Sequence, residues 1–270
     1  MSGRDDTYTH GHHDSVLRAH RRRTAENSAR YLLPSLRPGL TLLDVGCGPG
    51  TITVDLARLV APGRVVGLDR EEGVLGEARA LAAAVGNVEL VAGDVYALDF
   101  PDASFDVVHA HQVLQHLTDP VAALAEMRRV CKPGGLVAAR DADYAAMTWH
   151  PADPALDRWL DLYHAVARAN GAEPDAARRL LAWAHAAGFT EVTPSADAWC
   201  WATPEERGWC ASTWGERATR SALAEQALAY GLATRAALEA IAAGFRRWAA
   251  SDDAWWAVLN GEILCRVPRA

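Results

Sequence analysis

Two hundred and seventy residues, half of them hydrophobic and 23% charged, form a folding composition with room for one large α/β domain and an elaboration. That excludes a disulfide-stapled miniprotein and a disordered chain, and a formal net charge of −7 disfavours gripping nucleic acid through a basic surface. All ten tryptophans lie between Trp149 and Trp256, so the chain has two compositional halves, and the second needs a role of its own.

In chain order, residues 15–33 lack Pro and Gly and read as a polar helix ending before Pro34. Residues 40–45 are a short apolar run backed by glycines, as expected of a strand buried in a parallel sheet. A helix follows the turn at 46–50, with Ile52, Leu56, Leu59 and Val60 on one face, and Pro62-Gly63 ends it. Residues 64–69 make a second strand, 71–85 a helix with Val74, Ala78, Leu81 and Val85 aligned, and 88–92 a third strand. A fourth strand spans 105–111. The helix at 120–130 is stopped by Lys132-Pro133-Gly134-Gly135, and 136–140 is a fifth strand. Strands alternating with helices across short breaks predict βαβ units in a parallel, doubly wound sheet.

Beyond Pro151 the pattern turns helical, at 154–169 and at 174–187 with Gly188 as the stop. A β-rich piece covers 191–203, and 204–251 reads as two or three helices, the last striped by Leu238, Ile241, Ala242, Phe245 and Trp248. Alternation over 259–267 predicts a closing strand. The expected division is an N-terminal helical cap at 1–38, a core at 39–203, a helical insert at 204–254 and the closing strand at 255–270. The five cysteines, Cys47, Cys131, Cys200, Cys210 and Cys265, form no Cys-x-x-Cys pair, so neither a disulfide framework nor a zinc ribbon is expected. With no signal-peptide core and no run of 18 apolar residues, the expectation is a soluble cytoplasmic protein without a membrane span.

The first strand delivers Asp44-Val45-Gly46-Cys47-Gly48-Pro49-Gly50. Glycines at the carboxyl end of a first strand let a ligand approach the backbone closely. A dinucleotide fold would want G-x-G-x-x-G, whereas here the third glycine comes one residue early and an acid precedes the first. That acid would repel a pyrophosphate and suit a ligand bearing an ammonium group. Asp69 ends the second strand, where a carboxylate accepts hydrogen bonds from ribose hydroxyls, and Asp94 follows the third. A nicotinamide-dependent oxidoreductase is the alternative on these residues.

Residues 43–50, Val66-Gly67-Leu68-Asp69, Gly93-Asp94, Phe100-Pro101-Asp102-x-Ser104-Phe105-Asp106 and Cys131-Lys132-Pro133-Gly134-Gly135, in this order and spacing, resemble the class I S-adenosylmethionine-dependent methyltransferases. The similarity is closest to the type 11 domain typified by the menaquinone and ubiquinone biosynthesis methyltransferases, and it spans residues 40 to 140. The resemblance implies a Rossmann-like, seven-stranded, mostly parallel sheet with helices on both faces and an antiparallel last strand. It implies S-adenosylmethionine as cofactor, with Asp44, Gly46, Cys47 and Gly48 at the methionine end, Asp69 at the ribose, Asp94 and Val95 at the adenine, and Arg70 among the binding residues. His111 and Gln112 would form the wall beside the methionine, and the N-terminal segment, with Tyr8, His12 and His13, would fold over the site. A cofactor-binding protein that uses S-adenosylmethionine as scaffold for a non-methylating reaction is the other reading.

Methyl transfer from a sulfonium needs a nucleophile held about 3–3.5 Å from the methyl carbon and water excluded. A base is required only for a protonated acceptor. Asp141 and Asp143, after the fifth strand and on one face of it, are candidates against a plain reading as a solvated turn. His116, spaced with Leu114 and Leu117, is either a base or a packed histidine, and His12 is a further candidate. The cluster His10-Gly11-His12-His13-Asp14 has no matching second group, so no metal is expected. Arg21-Arg22-Arg23 reads as a solvated face. Since His109-Ala110-His111-Gln112 replaces the Asn/Asp-Pro-Pro-Tyr signature of amino-directed nucleic-acid methyltransferases, a small-molecule acceptor is expected, with a homodimer left open. The tryptophan-rich half is expected to build its pocket, with Trp149, Trp199 or Trp201 nearest the ligand and most of the others in the core.

Overall fold

The structure, a computed structural model, describes residues 6–11 and 13–269. Helix α1 (Asp14–Arg21) and the short α2 (Ala25–Ser28) occupy the N-terminal segment, followed by a 3₁₀ turn at Leu33–Ser35. The single helix expected over 15–33 is broken because Thr24 takes an extended conformation and caps α2, its hydroxyl accepting from the Asn27 amide while Asn27 bonds back.

The alternating units follow: β1 (Leu42–Val45), α3 (Thr51–Val60), β2 (Val65–Asp69), α4 (Glu72–Ala82), β3 (Val88–Ala92), β4 (Phe105–His111), α5 (Pro120–Val130) and β5 (Cys131–Ala142). Then come β6 (Thr148–His150), α6 (Pro154–Ala169), α7 (Leu180–Ala186), β7 (Glu191–Trp201), α8 (Pro204–Arg220), α9 (Ala222–Ala229), α10 (Arg235–Ala249) and β8 (Trp255–Arg266). Eight strands form one sheet in the order β3-β2-β1-β4-β5-β8, with β7 on the far edge of β8. Strands β1 to β5 are parallel, while β8 runs antiparallel to β5 and β7. The eighth strand is β6, three residues pairing with the start of β8 beside β5 and too short to show a period.

Strand β1 is buried along its whole length, which is why its sequence is continuously apolar except for Asp44. One face of the sheet packs Leu43, Val45 and Val108 under α5 and α7, and the other packs Leu42, Val65 and Val107 under α3. A third core belongs to the tryptophan-rich half. Trp159 of α6, Trp214 of α8, Phe245 and Trp248 of α10 and Trp256 of β8 close on one another there, with Trp159, Trp248 and Trp256 fully buried. Trp149, expected near a ligand, instead stacks on Trp256 at 4.8 Å between ring centroids. Among the described residues no helix is long and apolar enough to cross a membrane.

Candidate active site

The glycine loop after β1 holds Gly46, Gly48 and Gly50 at φ of 67°, 54° and 83°, a region costly for side-chain-bearing residues. A Cβ on Gly46 would lie 2.4 Å from Val113 Cγ2, so that glycine is needed for packing. A Cβ on Gly48 would meet nothing nearer than His20 Nδ1 at 3.8 Å, so its bare Cα opens onto free space. Asp69 fixes this turn, accepting from the Gly48 amide at 2.9 Å and from the Glu71 amide at 3.0 Å ahead of α4. Asp44 is nearly fully buried and accepts from Thr53 Oγ1 at 2.6 Å, with His109 Nδ1 at 2.7 Å from its other oxygen. Asp94 spends one oxygen on the Tyr96 amide at 2.9 Å.

These groups line a cavity of about 240 Å³ at the carboxyl ends of β1, β2 and β4, where ligands of open parallel sheets bind. All ten residues singled out from the sequence (Asp44, Gly46, Cys47, Gly48, Asp69, Arg70, Asp94, Val95, His111 and Gln112) lie on its wall. His111 is buried there with neither ring nitrogen partnered. Gln112 adopts φ of 53°, an uncommon conformation for a non-glycine residue, and its backbone amide donates to Arg140 O at 2.7 Å.

A second cavity, of about 320 Å³, adjoins the first. Tyr8, His20, Arg23, Gln112 and His116 line both. Its other walls come from Trp199 and Trp201 on β7, from Trp209, Thr213, Trp214 and Arg217 on α8, and from Tyr144 and His10. The tryptophans at this cavity therefore include the expected Trp199 and Trp201 and two from α8. Those two fall on the face α8 turns inward, which a spacing of Trp209, Thr213, Trp214 and Arg217 displays.

The candidate bases fare differently. Asp141 and Asp143 do share a face, but it is the wrong one, since their neighbour Ala142 lines the second cavity and they line neither. Asp141 is fully buried, accepts from the Gln115 amide at 3.0 Å, and is pushed up to about 8 chiefly by burial. Asp143 is taken by Arg178, which donates from Nε at 2.7 Å and Nη2 at 2.6 Å.

His116 does line both cavities, yet its tautomer argues against a base. Gln115 Oε1 accepts from the Ala142 amide at 3.0 Å, so its NH₂ group faces His116 Nε2, also at 3.0 Å, and donates to it. The proton of the neutral ring then sits on Nδ1, making His116 a donor. Burial, aided by the Arg23 charge, lowers its pKa to about 3 and keeps the ring neutral. Burial likewise holds His10, His20 and His111 well below the usual histidine range, and pushes Tyr8 up to about 12. His10 Nε2 lies 3.1 Å from the hydroxyls of both Tyr144 and Tyr163. His12 lies outside the described residues, and among them no three His, Cys, Asp or Glu side chains converge as metal ligands.

Two arginines were not expected here. Arg23, read as part of a solvated face, turns inward because α1 stops at Arg21. It donates to Gln112 Oε1 and sits 5.8 Å over Trp199. The N-capping pattern at Thr24-x-x-Asn27 was the available signal that the helix would stop there. Arg217 lies on α8, within the stretch 204–251 read as helical with none of its charged residues singled out.

A family model described as a methyltransferase domain matches residues 43–139, from β1 to the middle of β5. The chain is 39% identical over 210 residues to an uncharacterized methyltransferase of Schizosaccharomyces pombe, covering 73% of this chain and 74% of that one. It is 31% identical to the probable methyltransferase ltbC of Aspergillus luteorubrus, covering 97% of this chain and 98% of that one. Among solved structures it resembles the [4+2]-cyclase SpnF in fold, with a TM-score of 0.54, 24% identity, and coverage of 97% and 88% of the two chains.

Proposed function

The chain belongs to the class I S-adenosylmethionine-dependent methyltransferase family, and we propose that its first cavity holds the cofactor while the second receives a small organic methyl acceptor. The observation that carries the reading is the union of two cavities through one set of shared side chains, Tyr8, His20, Arg23, Gln112 and His116. The residues fit the cofactor. Gly48 leaves a space that any Cβ would fill, and His111 offers ring nitrogens with no protein partner. On this reading Asp69 takes the ribose, Asp94 and Val95 the adenine, and Asp44 with the Gly46–Gly48 backbone the methionine end, with Arg70 on the same cavity wall.

When bound, S-adenosylmethionine supplies an electrophilic methyl group on a sulfonium that leaves as a neutral thioether. The protein's share is to position the acceptor and exclude water. Helix α1 does the latter as a clasp: Arg18 pairs with Glu216 of α8, and Arg21 donates to Glu77 of α4 at 2.8 and 3.0 Å. From the same helix Leu17 and His20 line the first cavity, and Ala19 and His20 the second. Gln112, held in its unusual conformation by the Arg140 carbonyl, presents its side chain where donor and acceptor meet. The helical insert, residues 204–254, acts as the acceptor lid through α8, with α10 packed behind it as support.

Asp69→Ala removes the loop's fixing carboxylate and the proposed ribose acceptor. It should weaken S-adenosylhomocysteine binding by about 1–3 kcal/mol, roughly 5- to 150-fold. Calorimetric titration measures this, and unchanged affinity would refute the ribose assignment. Incubating the wild type with methyl-labelled cofactor and a small-molecule extract, followed by mass spectrometry, tests the reaction. Labelled product appearing with S-adenosylhomocysteine is the expected result; acceptor consumed without S-adenosylhomocysteine would favour the scaffold reading.

A further inference from the structure

The second cavity carries positive charge that none of the described residues neutralises. Among the described residues three arginines are buried to 5% exposure or less: Arg140, Arg207 and Arg217. Arg140 is paired with Glu262 at 2.6 Å, and Arg207 donates to the carbonyls of Ser251 and Asp252. Among the described residues Arg217 has no carboxylate partner. Its Nη2 reaches the Ser15 and Val16 carbonyls only at 3.4 Å, its Nε has no partner, and its guanidinium stacks 4.6 Å from the Trp214 ring centroid. Burial of an unpaired cation is costly, so an arrangement that keeps one calls for a counter-charge.

The neighbours of Arg217 repeat the pattern. Thr213, one turn earlier on the same face of α8, is 1% exposed with its hydroxyl unpartnered, and His10, 4% exposed, has an unpartnered Nδ1. Arg23 contributes a second guanidinium, whose pKa is lowered to about 10, chiefly by burial and in part by the Arg217 charge. Among the described residues the only carboxylate on the cavity wall is Glu206, whose Oε2 is bonded to Thr203 Oγ1 at 2.9 Å and to the amides of Ala202 and Thr203 in the capping box of α8. Trp199, Trp201, Trp209 and Trp214 supply flat apolar walls around this charge.

We propose that the acceptor is a planar organic acid, its ring held between the tryptophans and its anionic group bound by Arg217, Thr213 and Arg23. The proposal rests on the reading of the second cavity as the acceptor site. It names the substrate class that such a site would take: a charge-assisted, Arg-anchored anion in a water-poor aromatic box.

The test titrates wild-type protein loaded with S-adenosylhomocysteine against matched pairs, 2-naphthoate with 2-naphthamide and benzoate with benzamide, following quenching of the cavity tryptophans. The acid should bind about tenfold or more tighter than its amide. Arg217→Gln should abolish that preference, and Arg217→Lys, which keeps the charge, should retain part of it. Each variant is first checked for a cooperative melt, and the wild-type pairs test the idea even if one fails to fold. An amide that binds as tightly as its acid, no binding by either member of any pair, or a preference that survives in Arg217→Gln would overturn the proposal. Failure of the donor reading is separable: S-adenosylhomocysteine would then not bind the wild type, whatever the naphthoate result.

Discussion

Asp141 is fully buried at the end of β5, one oxygen bonded to the Gln115 amide and the other unpartnered. Burial raises its pKa to about 8, whereas in the unfolded chain the same carboxyl titrates near about 4. Between those values the folded state holds a proton that the unfolded state has lost. The contribution of this group is therefore full below about pH 4 and is lost as pH rises toward 8, at up to about 1.4 kcal/mol per pH unit. Asp141→Asn keeps the acceptor for Gln115 and removes the titration, so its stability should decline less steeply from pH 5 to 8 and exceed the parent's at pH 8. Chemical denaturation across that range reads the slope, and parallel curves would contradict the assignment. At this scale the donor cavity was readable, whereas of the acceptor cavity Trp199 and Trp201 were and the arginines were not, for a physical reason. Gly46 and Gly48 act through backbone conformation in the turn after one strand, and Asp69 ends the adjacent parallel strand, positions that the strand-and-glycine pattern itself marks. Arg23, between α1 and α2, and Arg217, on α8, are 194 positions apart and are brought to one cavity only by tertiary packing.

The elements that position the site are strand ends of the sheet and two helices laid across them. β1, β2, β4 and α5 followed from short apolar runs, glycine punctuation and capping residues, signals that local structure alone enforces. The first 35 residues did not, because absence of Pro and Gly permits a helix without requiring it; Thr24 and Asn27 instead spend their side chains on a capping box. That break lets residues 22 and 23 leave α1 and approach the cavities, with Arg22 lying 4.6 Å over Trp209 and Arg23 lining both cavities. Upstream, Tyr8 and His10 pack edge-to-face at 5.9 Å and line the second cavity, while α1 is tied down by its own ion pairs. Deleting residues 1–13 should therefore leave a cooperative melt but lower turnover on the order of 100-fold, since a loosely held acceptor loses most of its positioning advantage. Full turnover in the shortened protein would show that the segment is dispensable to the site.

Across the whole molecule, the tryptophan-bearing half and the glycine-loop half are joined by β8. The carboxyl part of that strand places Ile263 and Cys265 in the sheet core beneath α5 and α7, while Trp256 at its start is fully buried among Trp159, Trp248 and Phe245. One continuous strand thus belongs to both cores, with β5 on one side and β7 on the other throughout residues 260–266. Loss of packing in the helical core must then pull on the sheet that carries the cofactor cavity. Trp159→Ala empties the centre of the helical core, where the ring lies within 4.6–5.4 Å of Trp214, Phe245 and Trp256. It should cost about 3–5 kcal/mol, which for a chain of this size lowers the melting temperature by roughly 10 °C. Because β8 is shared, the loss should appear as one shifted transition, coincident by tryptophan fluorescence and by far-ultraviolet circular dichroism. Two separated transitions, with the helices melting before the sheet, would mean that the acceptor half is an independent folding unit and that its pocket opens without disturbing the cofactor loop.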